Sequence, residues 1–483
     1  MNNKKMDMKK LLLLFFVCSV INAQEILTLN DALKIALKES YNVQSAKYNL
    51  ESSQKSLEAV KLGLLSSVNL EFDLPNYNRS LSSKFNTSTG SDQFFSVGYT
   101  TLEGRLSINQ PIIFTNGTFS IVGSIFGRDQ FSDNTPKTRD YFSNVSLRLR
   151  QPLFTFNNQK ANLEKAEINL EQAKRNYTQT ERDIIYRVTA SFYRLFQSKK
   201  NMEITQEKVK QTEISYETAS NKYKAGLIAE VEALQLEVDL ATAKNELLNS
   251  ANSFEEEKNN FKLLIGIPLT QDFDIQTELN FNDIAVNLES AIESAKKNRP
   301  DIVNADNDIY ISKLNLEEVD SKNNIKAELT ANYGINKNDT EFDKIFNNFA
   351  DTRSVVFTVY IPVWDWGQNS RETEAAEANY KLRKLSKTNI EQSIINEITT
   401  AYNRIISAKA RVNVLSKSVE VAEKSYAISV ERFKSGTITG FELSQIQLRL
   451  TDAKLNSLNA LIDYNISVAD LERKAFINLL QKN

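Results

Sequence analysis

The chain has 483 residues but only 13 glycines and 7 prolines, well below average usage. Its elements should therefore be few and long. Acidic and basic residues nearly balance, 61 against 59, so charge gives no case for nucleic acid as a partner. Histidine is absent and the single cysteine is Cys18. The commonest general base is missing, and disulfides and thiolate metal clusters are excluded from the rest of the chain. No enzyme chemistry, metal or cofactor is expected.

At the N-terminus, Lys4, Lys5, Lys9 and Lys10 precede an apolar run from Leu11 to Val17, and Ile21-Asn22-Ala23 precedes Gln24. This is the order of a signal peptide over 1–23, with an apolar run too short to span a bilayer. Lipid attachment at Cys18 is a rival reading, to which Val17 is a poor fit. No later segment is apolar enough for a membrane helix. The exported chain could be periplasmic, secreted or a membrane β-barrel.

A helix is predicted near 29–62. Next comes period-two alternation, in which Val68, Leu70, Phe72 and Leu74 alternate with Ser67, Asn69, Glu71 and Asp73. Strands with one apolar and one polar face are predicted at about 66–74, 102–110, 118–126, 142–152, 326–334 and 353–362. The polar stretches 76–98, 128–140 and 335–352 read as exposed loops. Very long helices follow at about 159–223 and 370–434, which lack glycine and proline. In the first, Leu163, Ala166, Leu170, Ala173, Tyr177, Thr180 and Ile184 make a heptad-like seam. Each would be about 95 Å long, so the two must pack lengthwise against partners near 29–62, 229–264, 287–322 and 440–478. Glu255-Glu256-Glu257 reads as a solvated helix face rather than a metal site.

The chain also matches itself. At an offset of 210, Gln151-Pro152-Leu153-Phe154 corresponds to Ile361-Pro362-Val363-Trp364, and Tyr223-Lys224-Ala225-Gly226 to Phe433-Lys434-Ser435-Gly436. Before the strands the offset is 259, so the first half carries a 49-residue insertion. Within it, Asn109-Gln110-Pro111-Ile112 echoes Arg150-Gln151-Pro152-Leu153, as a duplicated hairpin would. Two tandem repeats are expected, 24–265 and 287–483, joined by a linker at 266–286.

The repeat, the long helices, the proline after a strand and the glycine turn after an aromatic together resemble the TolC-like outer membrane efflux proteins, the outer membrane factor family. The resemblance covers essentially all of the chain after the signal. It implies a mainly α fold with β: a homotrimer in which each copy gives four strands to a shared twelve-stranded membrane β-barrel, continuous with a long periplasmic α-helical barrel. It also implies a function, an exit channel for efflux or type I secretion. The partners implied are an inner-membrane pump, a periplasmic adaptor (membrane fusion) protein and outer-membrane lipid, with no nucleic acid. A periplasmic or surface structural coiled coil is the alternative. The insertion leaves the strand count open between twelve, eighteen, and a hairpin outside the barrel.

By position, the family's periplasmic entrance falls on the turns at Gly226 and Gly436. Its Tyr–Arg–Asp lock falls on Phe433, Ile438 and Glu232, and its acidic rings fall on Glu442 and Gln445. Only Glu232 and Glu442 keep a carboxylate, so the lock is not carried over. Glu442 reads either as a ring that favours cations or as a solvated helix residue. Trp364 and Trp366 are candidates for an aromatic belt at a membrane interface.

Overall fold

The computed structural model describes residues 26–133, 135–276 and 281–478. The expected signal segment, with Cys18, lies outside the described residues. The elements in order are β1 Ile26–Leu27, α1 Leu29–Glu39, α2 Tyr41–Gly63, β2 Ser67–Asn86, β3 Ser91–Ile112, β4 Gly117–Ser132, β5 Thr135–Leu153, α3 Asn158–Lys224, α4 Glu230–Ile265, β6 Asp274–Ile275, α5 Leu288–Asn298, α6 Pro300–Asp320, β7 Lys326–Asp339, β8 Ala350–Tyr360, α7 Gln368–Lys434 and α8 Gly440–Ala475. Two compact units emerge. One comprises residues up to Tyr48, Arg175–Ile302 and the chain from Asn389 onward; the other comprises Asn49–Lys174 and Val303–Thr388.

The first unit is helical. α3 and α7 each run 67 residues, about 100 Å at 1.5 Å per residue. The helices expected as single pieces at 29–62 and 287–322 are each broken. Ser40 is extended at ψ 139°, and its hydroxyl takes the Val43 N–H at 3.5 Å, which starts α2 afresh. Arg299 is extended at ψ 128° because Pro300 follows it. Its guanidinium holds Asp301 at 2.5 Å and Glu397 at 2.8 Å. Thr28 and Asn287 cap α1 and α5, accepting from Asp31 N and Ser290 N, which satisfies otherwise orphaned donors. Fully buried Ala32 and Ala36 pack with Val188, Phe192, Phe261 and Ile265, while Ala291 and Ala295 pack with Ile398, Tyr464 and Leu471. The small alanines let α1 lie close to α4, and α5 close to α8. Tyr464 donates to Asn282 O at 2.7 Å and accepts from Ile284 N at 3.1 Å, pinning the segment before α5. Among the described residues no helix is long and apolar enough to cross a membrane.

The second unit is built on one antiparallel sheet of order β2-β3-β4-β5-β7-β8. The inserted strands β3 and β4 sit within it, between β2 and β5. The chain thus builds six strands where the resemblance implies four. Much of the polar stretches expected as loops extends the ladder instead, with β2 and β3 pairing as far as Asn86 and Ser91 and β7 continuing to Asp339. Antiparallel backbone pairing needs no apolar alternation, so these residues pair although their side chains lack the period-two pattern.

Candidate functional site: paired helix turns and an amphipathic sheet

In the helical unit, α3 passes to α4 and α7 to α8 through two turns of matching geometry. Gly226 and Gly436 have φ of 68° and 76°, a left-handed conformation cheap only for glycine. Gly226 N bonds Tyr223 O at 2.8 Å and Leu227 N bonds Lys222 O at 2.9 Å. Gly436 N bonds Phe433 O at 3.0 Å and Thr437 N bonds Arg432 O at 2.9 Å. Both are Schellman caps, closing carbonyls that a helix end leaves open. The entries to α4 and α8 differ. Ala229 offers no side-chain cap, whereas Thr439 and Glu442 form a reciprocal capping box.

The two turns are packed together by one apolar cluster. Ala219, Ala233, Leu236, Phe433 and Leu443 are buried, with Tyr216, Ile228, Tyr426, Val430 and Ile438 against them. Lys222 of α3 donates to Phe433 O at 2.5 Å and lies 4.5 Å from the Phe433 ring centroid. Gly440 is buried where α8 meets α4, and a Cβ there would stand 2.9 Å from Leu236 Cδ1. Of the residues singled out from sequence, the fold brings Phe433 and Ile438 into this cluster. Glu232 is half-buried, at the start of α4, and Glu442 and Gln445 are exposed at the start of α8. The Glu442 carboxylate accepts from Thr439 N at 2.8 Å. That backbone bond, then the Thr439 hydroxyl, hold it below the usual glutamate range, with Arg432 nearby adding to the effect. Sequence reasoning missed Lys222 and Gly440. A glycine directly after a capping threonine was the one available signal for the second.

In the sheet unit the register divides charge from grease over the rows nearest the end of β5, beyond which Arg353 of β8 lies over the Tyr333 ring on the apolar face. Val68, Ile108, Ile121, Leu147 and Tyr333 follow one another across five strands, and Phe119, Leu149, Ala331 and Val355 make a parallel row on the same face. The other face carries Ser67, Asn109, Ser120, Arg148, Asn332 and Ser354 in one row across all six strands. Ser120 donates to Asn109 at 2.7 Å, Arg148 to Asn332 at 2.9 Å, and Asn332 to Ser354 at 3.1 Å. Ion pairs Arg105–Glu103 at 2.9 Å and Arg150–Glu328 at 2.8 Å lie on this polar face. One end of the sheet is rimmed by exposed aromatics: Phe114 in the β3–β4 turn, Phe154 after β5, and Trp364 and Trp366 after β8. The two tryptophans meet edge to face at 5.6 Å. At the other end Phe342, between β7 and β8, packs edge to face with Tyr141 and with Phe346, and Ser143 donates to Ile345 O at 2.5 Å.

An antiparallel sheet with one apolar and one charged face, in a chain with paired 67-residue helices, defines a channel-type outer-membrane protein rather than a catalyst. The pattern that defines the family "Outer membrane efflux protein" matches residues 120–267 and 291–474. The chain belongs to that family, whose members are outer-membrane channels and not enzymes. It is similar to the outer membrane protein TolC of Vibrio cholerae, at 22% identity over 351 residues, covering 71% of this chain and 78% of that one. Among solved structures, the CmeC outer membrane channel of Campylobacter jejuni superposes with a TM-score of 0.70 at 15% identity, covering 94% of this chain and 87% of the other. VceC of Vibrio cholerae gives 0.69 at 15%, covering 93% and 96%.

Proposed function

We propose that the chain is the exit channel of an efflux or type I secretion system. Three copies form a membrane β-barrel continuous with a periplasmic α-helical barrel, and cargo arrives from an inner-membrane pump through a periplasmic adaptor. The observation that carries this reading is the two-faced sheet, in a member of a family of outer-membrane efflux proteins. Apolar residues face lipid, and the row from Ser67 to Ser354 with its ion pairs lines water, the arrangement of outer-membrane barrels. The division into two repeats, 24–265 and 287–483, is supported by paired lengths: 67 residues for α3 and α7, 36 for α4 and α8, and 11 for α1 and α5.

Assembly from several copies is supported by apolar seams left exposed on the single chain. On α4, Val231, Leu234, Val238, Ala241 and Leu248 recur at heptad spacing. On α7, Val414, Val421 and Ile428 recur every seven residues, with Ser418 and Ser425 between them. Branched apolar residues at this spacing, with the serines of α7 leaving gaps between them, suit knobs-into-holes packing between neighbours. The turns at Gly226 and Gly436 are the proposed entrance and adaptor contact, and Glu442 the ring at that entrance. Trp364 and Trp366 sit in the proposed aromatic belt.

The test is imaging and planar-bilayer recording of protein extracted from membranes in mild detergent. Threefold particles with a detergent collar and ion conductance are expected. Soluble rods that do not conduct would instead identify a structural coiled coil. In the same recordings, Glu442→Gln should lower cation preference. An unchanged reversal potential in a salt gradient would remove Glu442 from the entrance lining.

A further inference from the structure

We propose that the assembled barrel has eighteen strands, six from each of three copies, with the inserted β3–β4 hairpin built into the wall and β2 of one copy hydrogen-bonded to β8 of the next. The inference rests on the trimeric channel reading and concerns what the insertion does to it. Four observations carry it.

First, the inserted strands are paired along their length. β3 pairs with β2 from Ser91 to Asn109 and with β4 from Val97 to Ile112, and β4 in turn pairs with β5 from Thr118 to Ser132. Removing the hairpin from the wall would break two of these ladders, which the bilayer cannot replace with water.

Second, the hairpin continues both faces of the sheet. Ile108 and Ile121 fill the apolar row between Val68 and Leu147, and Asn109 and Ser120 fill the polar row between Ser67 and Arg148. A hairpin lying outside the barrel would have no reason to keep that phase.

Third, the hairpin is anchored where the sheet meets α3. Asn157 donates to Ile113 O at 2.7 Å, Asn116 to Phe156 O at 3.3 Å and Gln159 to Gly117 O at 3.1 Å. The duplicated Gln-Pro steps do equivalent work. Gln110 Nε2 donates to Leu64 O, just before β2, at 3.0 Å, and Gln151 Nε2 donates to Thr115 O, just before β4, at 2.8 Å. Each also bonds the carbonyl of its own following proline at 2.8 Å. The turn delivers Phe114 to the same end of the sheet as Phe154 and Trp364, where a membrane strand places such a residue.

Fourth, the edges match. β8 is exposed at every residue and β2 at nearly every one. Six strands are too few to close alone, since small barrels need about eight. The strands alternate in direction, so β2 and β8 run oppositely, and a second copy's β2 beside β8 continues the antiparallel ladder. Val355, Phe357 and Val359 of β8 share the apolar face with Val68, Leu70 and Phe72 of β2, which keeps the lipid belt unbroken across the junction. Because barrel diameter grows roughly linearly with strand number, eighteen strands make a mouth about half again as wide as twelve would.

The test is electron cryo-microscopy of the wild-type trimer in lipid nanodiscs, with strands counted in cross-section. Eighteen strands, with β3 and β4 in the wall, are expected. Twelve strands with the hairpin projecting would overturn the inference while leaving the channel reading intact, and a soluble monomer would overturn both. Disulfide trapping checks the count in membranes, because Cys18 is the only natural cysteine. Ser120→Cys with Arg148→Cys should cross-link within a chain, since these residues are paired neighbours. Ser67→Cys with Arg148→Cys should not, because they lie three strand spacings apart, about 14 Å, beyond disulfide reach. A cross-link from that second pair would mean that β2 lies against β5 and the hairpin is outside. Ser354→Cys combined in turn with cysteines at Ser67, Asn69 and Glu71 should give covalent trimers at one register; failure of all three would overturn the β2–β8 junction.

Discussion

At the residue scale, the helix turns are set by a few side chains whose roles follow from local geometry. Gly440 is required by space: a Cβ there would press on Leu236, itself only 2% exposed. Gly440→Val should overpack this contact and destabilise by about 1–3 kcal/mol, read as a lower melting temperature of the detergent-solubilised protein. Gly63→Ala is the control: Gly63 has nothing within 4 Å of a new Cβ and should melt as the wild type does. Glu442 holds its cap as an anion. Its folded pKa is depressed by the Thr439 N–H, so the stabilisation is complete above the ordinary glutamate value of about 4.3 and is lost as pH falls through the lowered folded value. Glu442→Gln should therefore melt below wild type at pH 7. The gap should close in acid, once wild-type Glu442 is itself protonated. A gap that persists unchanged in acid would mean the carboxylate charge does not hold the turn.

At the element scale, the helices present two kinds of seam. One is filled within the chain: Ile394, Ile398, Ala401, Ile405 and Ala408 of α7 are buried with Tyr464 and Val468 of α8. The other, on α4 and α7, is apolar and exposed. Leu234 and Ile428 lie at similar distances along the helices from their glycine turns. A Leu234→Cys, Ile428→Cys double variant should give covalent trimers on oxidation. A variant placing the first cysteine at Ala243, which is buried within its own chain, should not. If neither links, the exposed seams are solvated and the copies meet elsewhere. The broken helices belong to this scale as well. Ser40 and Arg299 turn the chain between short helices whose alanine faces fit against α4 and α8, a fit that one continuous helix could not make.

At the scale of the whole molecule, neither unit completes its own chemistry. The sheet leaves β2 and β8 exposed as edges, a liability natural proteins pair or cover, and the helical unit leaves apolar stripes exposed. In the proposed assembly, further copies of the same chain would remedy both defects and give each face of the sheet a solvent that suits it. The family assignment agrees with that logic, although at 13–15% identity to the solved structures it is the fold rather than individual residues that is shared. The Tyr–Arg–Asp lock illustrates the distinction. Phe433 and Ile438, the positions to which the resemblance carries two of its residues, are here an apolar pair packed between the turns, with no phenol or guanidinium to form it.

What the sequence by itself determined is whatever local periodicity encodes. The absence of glycine and proline set the extent of α3 and α7, the two-residue alternation marked the apolar faces of the strands, and the paired glycines located the turns. What only the tertiary structure decided depends on non-local pairing. The polar residues 76–86 and 91–98 are strand because each backbone finds a partner ladder, not because their side chains alternate. The place of β3 and β4 between β2 and β5, the burial of Phe433 under Lys222, and the closeness of Gly440 to Leu236 each join residues far apart in the chain. Alternation states which face of a strand is apolar, but it carries no information about which strand lies beside it, because any neighbour in the same phase buries the same face equally well.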